Sequence, residues 1–214
     1  FCANQEAVEK FTLDKPALVC RWRMSNKKVP MLNRHIRALS ERLVQGEPLT
    51  HNMLSWAKQH VEWSLAEGDY TAHDGVLMLV IDVNGNAAMT VGEYEPLSDT
   101  SAKALRARSA EARSEADETG VAPELLAAVN NGELAFVAPA DEYLCGTATL
   151  IEQLAQTKGI SVTRVDIPAQ LKGALFLVSD EHGVVPAADA DAAESDAATV
   201  AFFADGYEKL RARR

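Results

Sequence analysis

Cysteine is scarce in this 214-residue chain: the three, Cys2, Cys20 and Cys145, form no CxxC pair and are odd in number. That disfavours a disulfide framework and a zinc-ligand set, and it fits a reducing cytoplasm. Long apolar runs are missing too. No stretch approaches the ~20 residues that cross a bilayer, and the first residues lack the basic-then-apolar pattern of a secretory leader, so a soluble chain is expected. Positive charge is in deficit, with 21 Lys and Arg against 31 Asp and Glu and a net charge of −10. Nucleic acid and anionic membranes repel such a chain, so neither is an expected partner, and an anionic ligand must be met by a local cationic site. What remains, 47% hydrophobic and 24% charged residues, is ordinary globular composition with enough apolar material for one large domain or two small ones.

The hydrophobic pattern sets the elements. Pro16 to Arg23 alternates as a strand does and is followed by a turn at Ser25 to Lys28. Met31, Leu32, His35, Ile36, Leu39 and Leu43 make one helical stripe ending near Gly46, and Met53, Ala57, Val61 and Leu65 make another between Thr50 and Gly68. Val76 to Val83 is the most apolar run, too short and too β-branched for a helix, and reads as a central strand returning through Asn84-Gly85 along Ala87, Met89 and Val91. Periodicity stops from Glu93 to Thr100, the candidate linker. Beyond it come a helix over 101–119 ended by Gly120, strands at Leu125 to Val129 and Leu134 to Pro139 around an Asn130-Asn-Gly132 turn, and a helix over 148–158. Strands at Ile160 to Val165 and Ala174 to Val178 follow, then an acidic loop at 189–196 and a final helix bearing Val200, Phe203, Tyr207 and Leu210. The expectation is an α/β (α+β) chain with an N-terminal domain over 1–95, a linker at 96–100 and a C-terminal domain over 101–214.

Leu144 to Thr149 stands out chemically. Gly146 and Thr147 open a helix, and Thr149 with Glu152 has the spacing of a capping box. Unpaired N–H groups and the positive dipole end at such a terminus suit an anion, although most capped helix ends hold none. Lys103 lies in the first turn of the 101–119 helix. To form an imine its amine must be deprotonated by burial or cationic neighbours, whereas a lysine at such a place is usually solvated. His35 falls on an apolar stripe and reads as a structural histidine. His182 lies in a turn, and Cys145 at a helix start has no His and Asn partners at protease spacing.

In order and spacing these pieces resemble the fold-type IV pyridoxal-phosphate enzymes, the class IV aminotransferase family that includes branched-chain and D-amino-acid aminotransferases and aminodeoxychorismate lyase. Met31 to Leu39 resembles the family's Arg-His-Leu-x-Arg-Leu-like helix, and Val76 to Leu97 the strand, turn and strand that close its first domain. Lys103 to Gly120 resembles the helix that begins at the Schiff-base lysine, Leu144 to Thr149 the phosphate turn, and Phe176 to Pro186 the second phosphate-side turn. The resemblance implies a homodimer binding pyridoxal 5'-phosphate and acting on an amino-acid-like or amino-chorismate-type substrate. Lys103 would be catalytic, and Arg34, Arg37, Gly146, Thr147, Thr149, Ser179 and His182 would bind the cofactor, with no metal. Three departures imply an alternative, a degenerate scaffold for binding or dimerisation. The loop whose glutamate faces the pyridine nitrogen is deleted between Leu126 and Phe136, where Glu133 has no assigned role. Ala38 stands where an arginine is expected, and Cys145, Ala148 and Thr149 replace Pro, Thr and Arg.

Overall fold

The computed structural model describes residues 13–68, 70 and 72–213, so Cys2 and most of the weakly patterned N-terminal stretch lie outside it. The first half builds β1 (Pro16–Met24), α1 (Leu32–Ser40), the short pair β2 (Leu43–Val44) and β3 (Glu47–Pro48), α2 (His51–Glu67), β4 (Gly75–Asp82) and β5 (Ala87–Gly92). β1, β4 and β5 form an antiparallel sheet in that order. Alternation puts Leu18, Cys20, Trp22 and Met24 of β1 on the face shared with Leu77, Leu79 and Ile81 of β4, against the Ala57, Val61 and Leu65 stripe of α2. Thr50 caps α2 by accepting the Met53 N–H. The expected turns are present. Asn26 and Lys27 take positive φ, and Gly85, at φ 83°, closes the β4–β5 loop, whose Asn84 and Asn86 N–H groups donate to Asp82 Oδ1.

The second half builds α3 (Ala102–Thr119), β6 (Leu125–Asn130), β7 (Glu133–Val137), α4 (Gly146–Thr157), β8 (Val162–Val165), a 3-10 turn at Pro168–Gln170, β9 (Ala174–Ser179), β10 (Gly183–Pro186) and α5 (Glu194–Arg211). Its sheet runs β10-β9-β6-β7-β8, antiparallel except for β7 and β8, whose parallel pairing needs the α4 crossover. β6 and β9 are covered on both faces, which explains their unbroken apolar runs. One face packs Ala127, Val129 and Phe176 on Ile151 and Phe203, and the other packs Leu126, Leu175 and Leu177 on Leu105 of α3. The halves meet along β1 and the end of α3. Val19 N–H donates to the Gly120 carbonyl, and the Arg42 guanidinium donates to the same oxygen at 2.8 Å.

Four readings are corrected. Leu43 leaves the α1 stripe because the helix stops at Ser40, and the side chain is 53% exposed on the β2–β3 hairpin. The capping box at Thr149 and Glu152 is not formed: α4 opens at Gly146, and Thr149 turns its hydroxyl back onto the Gly146 carbonyl instead of capping. β10 adds a strand where a turn was read. The acidic loop shortens, because Glu194 and Asp196 form the first turn of α5, where acidic groups suit the helix dipole.

Two glycines separate backbone strain from crowding. Gly120 ends α3 at φ 71°, and a Cβ there would sit 1.9 Å from the Ala17 carbonyl oxygen. Gly132 has φ 77° and open space around it. Gly132→Ala is expected to cost about 1 kcal/mol from the left-handed backbone alone, and Gly120→Ala about 3 kcal/mol because β1 must also move. Urea unfolding of the two variants measures the difference, and equal midpoints would refute the close approach.

Candidate functional site

The N-terminus of α4 is a closely organised polar point. Cys145 occupies the cap position in an extended conformation and gives the helix no side-chain cap. The missing cap comes from far along the chain: the Thr147 N–H and hydroxyl both donate to Asp180 Oδ1, each at 2.8 Å. Asp180 follows β9, and its backbone carbonyl accepts the Arg23 N–H at 2.9 Å. Its other carboxylate oxygen lies 3.3 Å from Nδ1 of His35, a contact of opposite partial charges rather than a well-directed hydrogen bond. His35 is buried on α1 and stacks on Trp22 with ring centroids 5.4 Å apart. The ring also abuts Gly146, where a Cβ would fall 2.4 Å from Nδ1, so this approach requires glycine. Burial pushes the Asp180 carboxyl up, but His35 and the two Thr147 bonds outweigh it and hold the carboxyl below its usual range. The helix end is thus an anion site occupied by the chain's own carboxylate.

Beside it runs a narrow cleft of about 40 Å³, room for a few waters. Two arginines of its lining pair with two of its carboxylates. Arg21 forks onto Glu115, and Arg108 forks onto both oxygens of Glu124, with Nε at 2.6 Å. His182 is buried between Glu124, with Nε2 3.6 Å from the carboxylate, and the Tyr94 hydroxyl, and burial lowers its pKa. Ser179 accepts the His182 backbone N–H at 2.8 Å, closing the turn into β10. Glu124, Glu181 and His182 each offer one ligand atom within 4.8 Å of the others, but the Arg108 fork already supplies the cation that Glu124 requires. The Cys20 thiol is pushed up to about 12, chiefly by burial, and Cys145 is driven up by burial and then by Asp180, so neither is a ready nucleophile.

The expected site residues separate into groups. Gly146, Thr147 and Ser179 gather around Asp180, and His182 lies one turn away in the ion-pair cluster. Arg34 and Thr149 are joined by a hydrogen bond on the outer side of α4, with Arg37 one turn along α1. Lys103 joins neither group. It is exposed on the first turn of α3 and lines neither the cleft nor the groove beside Arg34. Ala38 lies on the cleft wall where the resemblance calls for an arginine, and Glu133 sits exposed at the tip of the β6–β7 hairpin. Asp180, Arg108 and Glu124 were not singled out from the sequence. A carboxylate in the turn after an all-apolar strand was the available signal for Asp180.

No protein-family profile and no curated protein sequence matches this chain. Solved structures do. A putative 4-amino-4-deoxychorismate lyase from Legionella pneumophila superposes with TM-score 0.60 at 11% identity, over 92% of this chain and 96% of that one. A putative branched-chain amino acid aminotransferase from Thermotoga maritima superposes with TM-score 0.59 at 13% identity, over 98% and 94%. A hypothetical aminotransferase from Mycobacterium tuberculosis in its PLP-bound form gives TM-score 0.55 at 12% identity, over 95% and 96%. The fold is that of the fold-type IV aminotransferases. Pyridoxal phosphate is the cofactor named for one such neighbour, and the residues of the cleft do not fit it. The cleft is lined by no lysine, its volume suits a few waters, and a phosphate at α4 would have to displace Asp180 from both Thr147 donors.

Removing the Asp180 charge tests this arrangement. The group's folded pKa lies below its ordinary value of 3.8, so its stabilisation is complete above that value and is lost as pH falls through the lower folded one. Asp180→Asn is expected to cost about 3 kcal/mol at pH 7, since it breaks a buried charged network, with the gap to the unmodified protein narrowing below pH ~4. Urea unfolding across pH measures it, and a gap that does not change with pH would refute the ionic role.

Proposed function

We propose that this chain is a non-catalytic member of the fold-type IV aminotransferase architecture, kept as a binding scaffold. The observation that carries the reading is the Asp180 carboxylate seated on the Thr147 N–H and hydroxyl, with its second oxygen facing His35. A cofactor phosphate held there would bring a second anion to a helix end that already has one, and the repulsion of two buried anions is far larger than the worth of a helix dipole. Two further facts point the same way. Lys103 is exposed and outside the cleft, and the short Asn131-Gly132 turn leaves no loop to carry a carboxylate to a pyridine nitrogen, without which the ring is a poor electron sink.

Assembly as a homodimer and residence in the cytoplasm belong to the same proposal. Closed two-fold pairs are the commonest oligomers, and buried free thiols at Cys20 and Cys145 suit a reducing compartment. Light scattering at micromolar concentration is expected to give twice the chain mass, and a monomer mass would remove the dimer from the proposal.

The test of the main reading is covalent. The full chain is incubated with excess pyridoxal phosphate, scanned in the visible, reduced with borohydride and mapped by mass spectrometry. The expected result is no band beyond the free cofactor and no reduced adduct at Lys103. An adduct at Lys103 that vanishes in Lys103→Ala, with the fold intact, would overturn the non-catalytic reading.

A further inference from the structure

α2 carries a second stripe on the face turned away from the sheet. Ala57, Val61 and Leu65 bury its inner face in the N-terminal core. Asn52, Trp56, Gln59, Trp63 and Ala66, spaced four, three, four and three residues, are all exposed. That spacing keeps them on one line along the helix, and none of them is charged. Trp56 is 41% exposed and Trp63 63%. Single apolar side chains at the surface are common, but two indoles two turns apart on one uncharged stripe make a surface suited to contact.

Both rings are set in place by their own helix. Trp56 stacks on His60 with ring centroids 4.7 Å apart, and the Trp63 Nε1–H donates to the Glu67 carboxylate. With that N–H satisfied, the Trp63 ring offers an apolar face at little further loss of side-chain freedom. The charges of α2 run against its own dipole. Its first turn has no acid, and its last turn has no base but holds Glu67 at the negative end. Lys58 and Glu62 flank the stripe 3.9 Å apart, a loose surface pair that contributes little within one chain.

We propose that this stripe is the interface of a two-fold dimer in which α2 packs antiparallel on α2 of a second copy, with Trp56 opposite the partner's Trp63. The charge pattern selects that arrangement. With the tryptophans so aligned, the midpoint falls between Gln59 and His60, and Lys58 comes opposite the partner's Glu62 in both directions. Parallel helices would instead set Lys58 on Lys58 and Glu62 on Glu62. Antiparallel packing also brings the positive end of each helix beside the negative end of the other, the compensation that α2 lacks on its own. The exposed parts of the four indoles supply roughly half of the ~1,000 Å² that a specific interface needs, leaving the remainder to the rest of the stripe. The inference rests on the homodimer proposed above and names its surface, and it uses neither Lys103 nor the α4 terminus.

The experiment is sedimentation equilibrium of the full chain, with circular dichroism to check the fold of each variant. The unmodified protein is expected to dimerise at micromolar concentration. Trp56→Ala with Trp63→Ala is expected to raise the dimer dissociation constant at least about hundredfold, since central aromatic anchors dominate such interfaces. Lys58→Glu is expected to weaken the dimer about tenfold, and the further change Glu62→Lys to restore it. Register is read independently by mild oxidation in a Cys2→Ser background, where the remaining thiols, Cys20 and Cys145, are buried. Gln59→Cys, beside the two-fold axis, is expected to form a disulfide-linked dimer, and Asn52→Cys, whose two copies lie roughly 20 Å apart, is not. A dimer that persists with both tryptophans replaced, or a cross-link at Asn52→Cys instead of Gln59→Cys, would overturn this interface and leave the homodimer standing. A monomer mass for the unmodified chain removes both, and the non-catalytic reading is decided separately by the borohydride adduct.

Discussion

A buried carboxylate ties together elements from both halves of this molecule. Asp180 extends from the end of a C-terminal strand, caps the first turn of α4 through Thr147 and faces His35 on α1, while its backbone carbonyl takes an N–H from β1. Burying such a charge without partners costs several kcal/mol, so the contacts are mutually dependent: the helix end needs an anion, the anion needs donors, and the histidine ring needs glycine beneath it. Trp22 closes the set by stacking on His35. The packing of α1 against α4 therefore follows from electrostatics as much as from apolar burial.

The same economy of charge explains the contrast between the cleft and the outer groove. In the cleft Arg21 meets Glu115, and Arg108 meets Glu124, each as a two-pronged pair that also satisfies the geometry of the carboxylate. Such pairs leave few directions for a ligand to approach. On the far side of α4, Arg34 and Arg37 rest on neutral oxygens, while Arg164 lies beside Glu152.

Much of the fold was legible because burial imposes simple periods. The two-sided burial of β6 and β9 wrote continuous apolar runs, and the four-residue spacing of Ala57, Val61 and Leu65 wrote α2. Legibility failed where a distant residue decided a local matter. Nothing between Cys145 and Glu152 reveals that the cap of α4 comes from residue 180, so Thr149 and Glu152 looked like a capping box. The site suffered most from this. Spacing placed Lys103 at a family position, but only the start of α3 at Ala102, capped by Ser101, determines that its side chain faces outward. Leu43 illustrates the converse: its hydrophobicity fitted the stripe, and the positive φ of Gln45 and Gly46 bent the chain into a hairpin instead.

Asp196 has a role that extends beyond its position in α5. Its two carboxylate oxygens accept the N–H groups of Asn131 and Gly132, each at 2.9 Å, in a turn 64 or more residues earlier in the chain. The β6–β7 hairpin is a local structure that can pair as soon as its strands exist. Its turn nevertheless leaves two donors to water until α5 has been made. The consequence is one of timing during synthesis: the C-terminal sheet can begin early, yet its β6–β7 turn gains these two bonds only when α5 folds back, so truncations that remove α5 reach a hairpin far upstream of the cut.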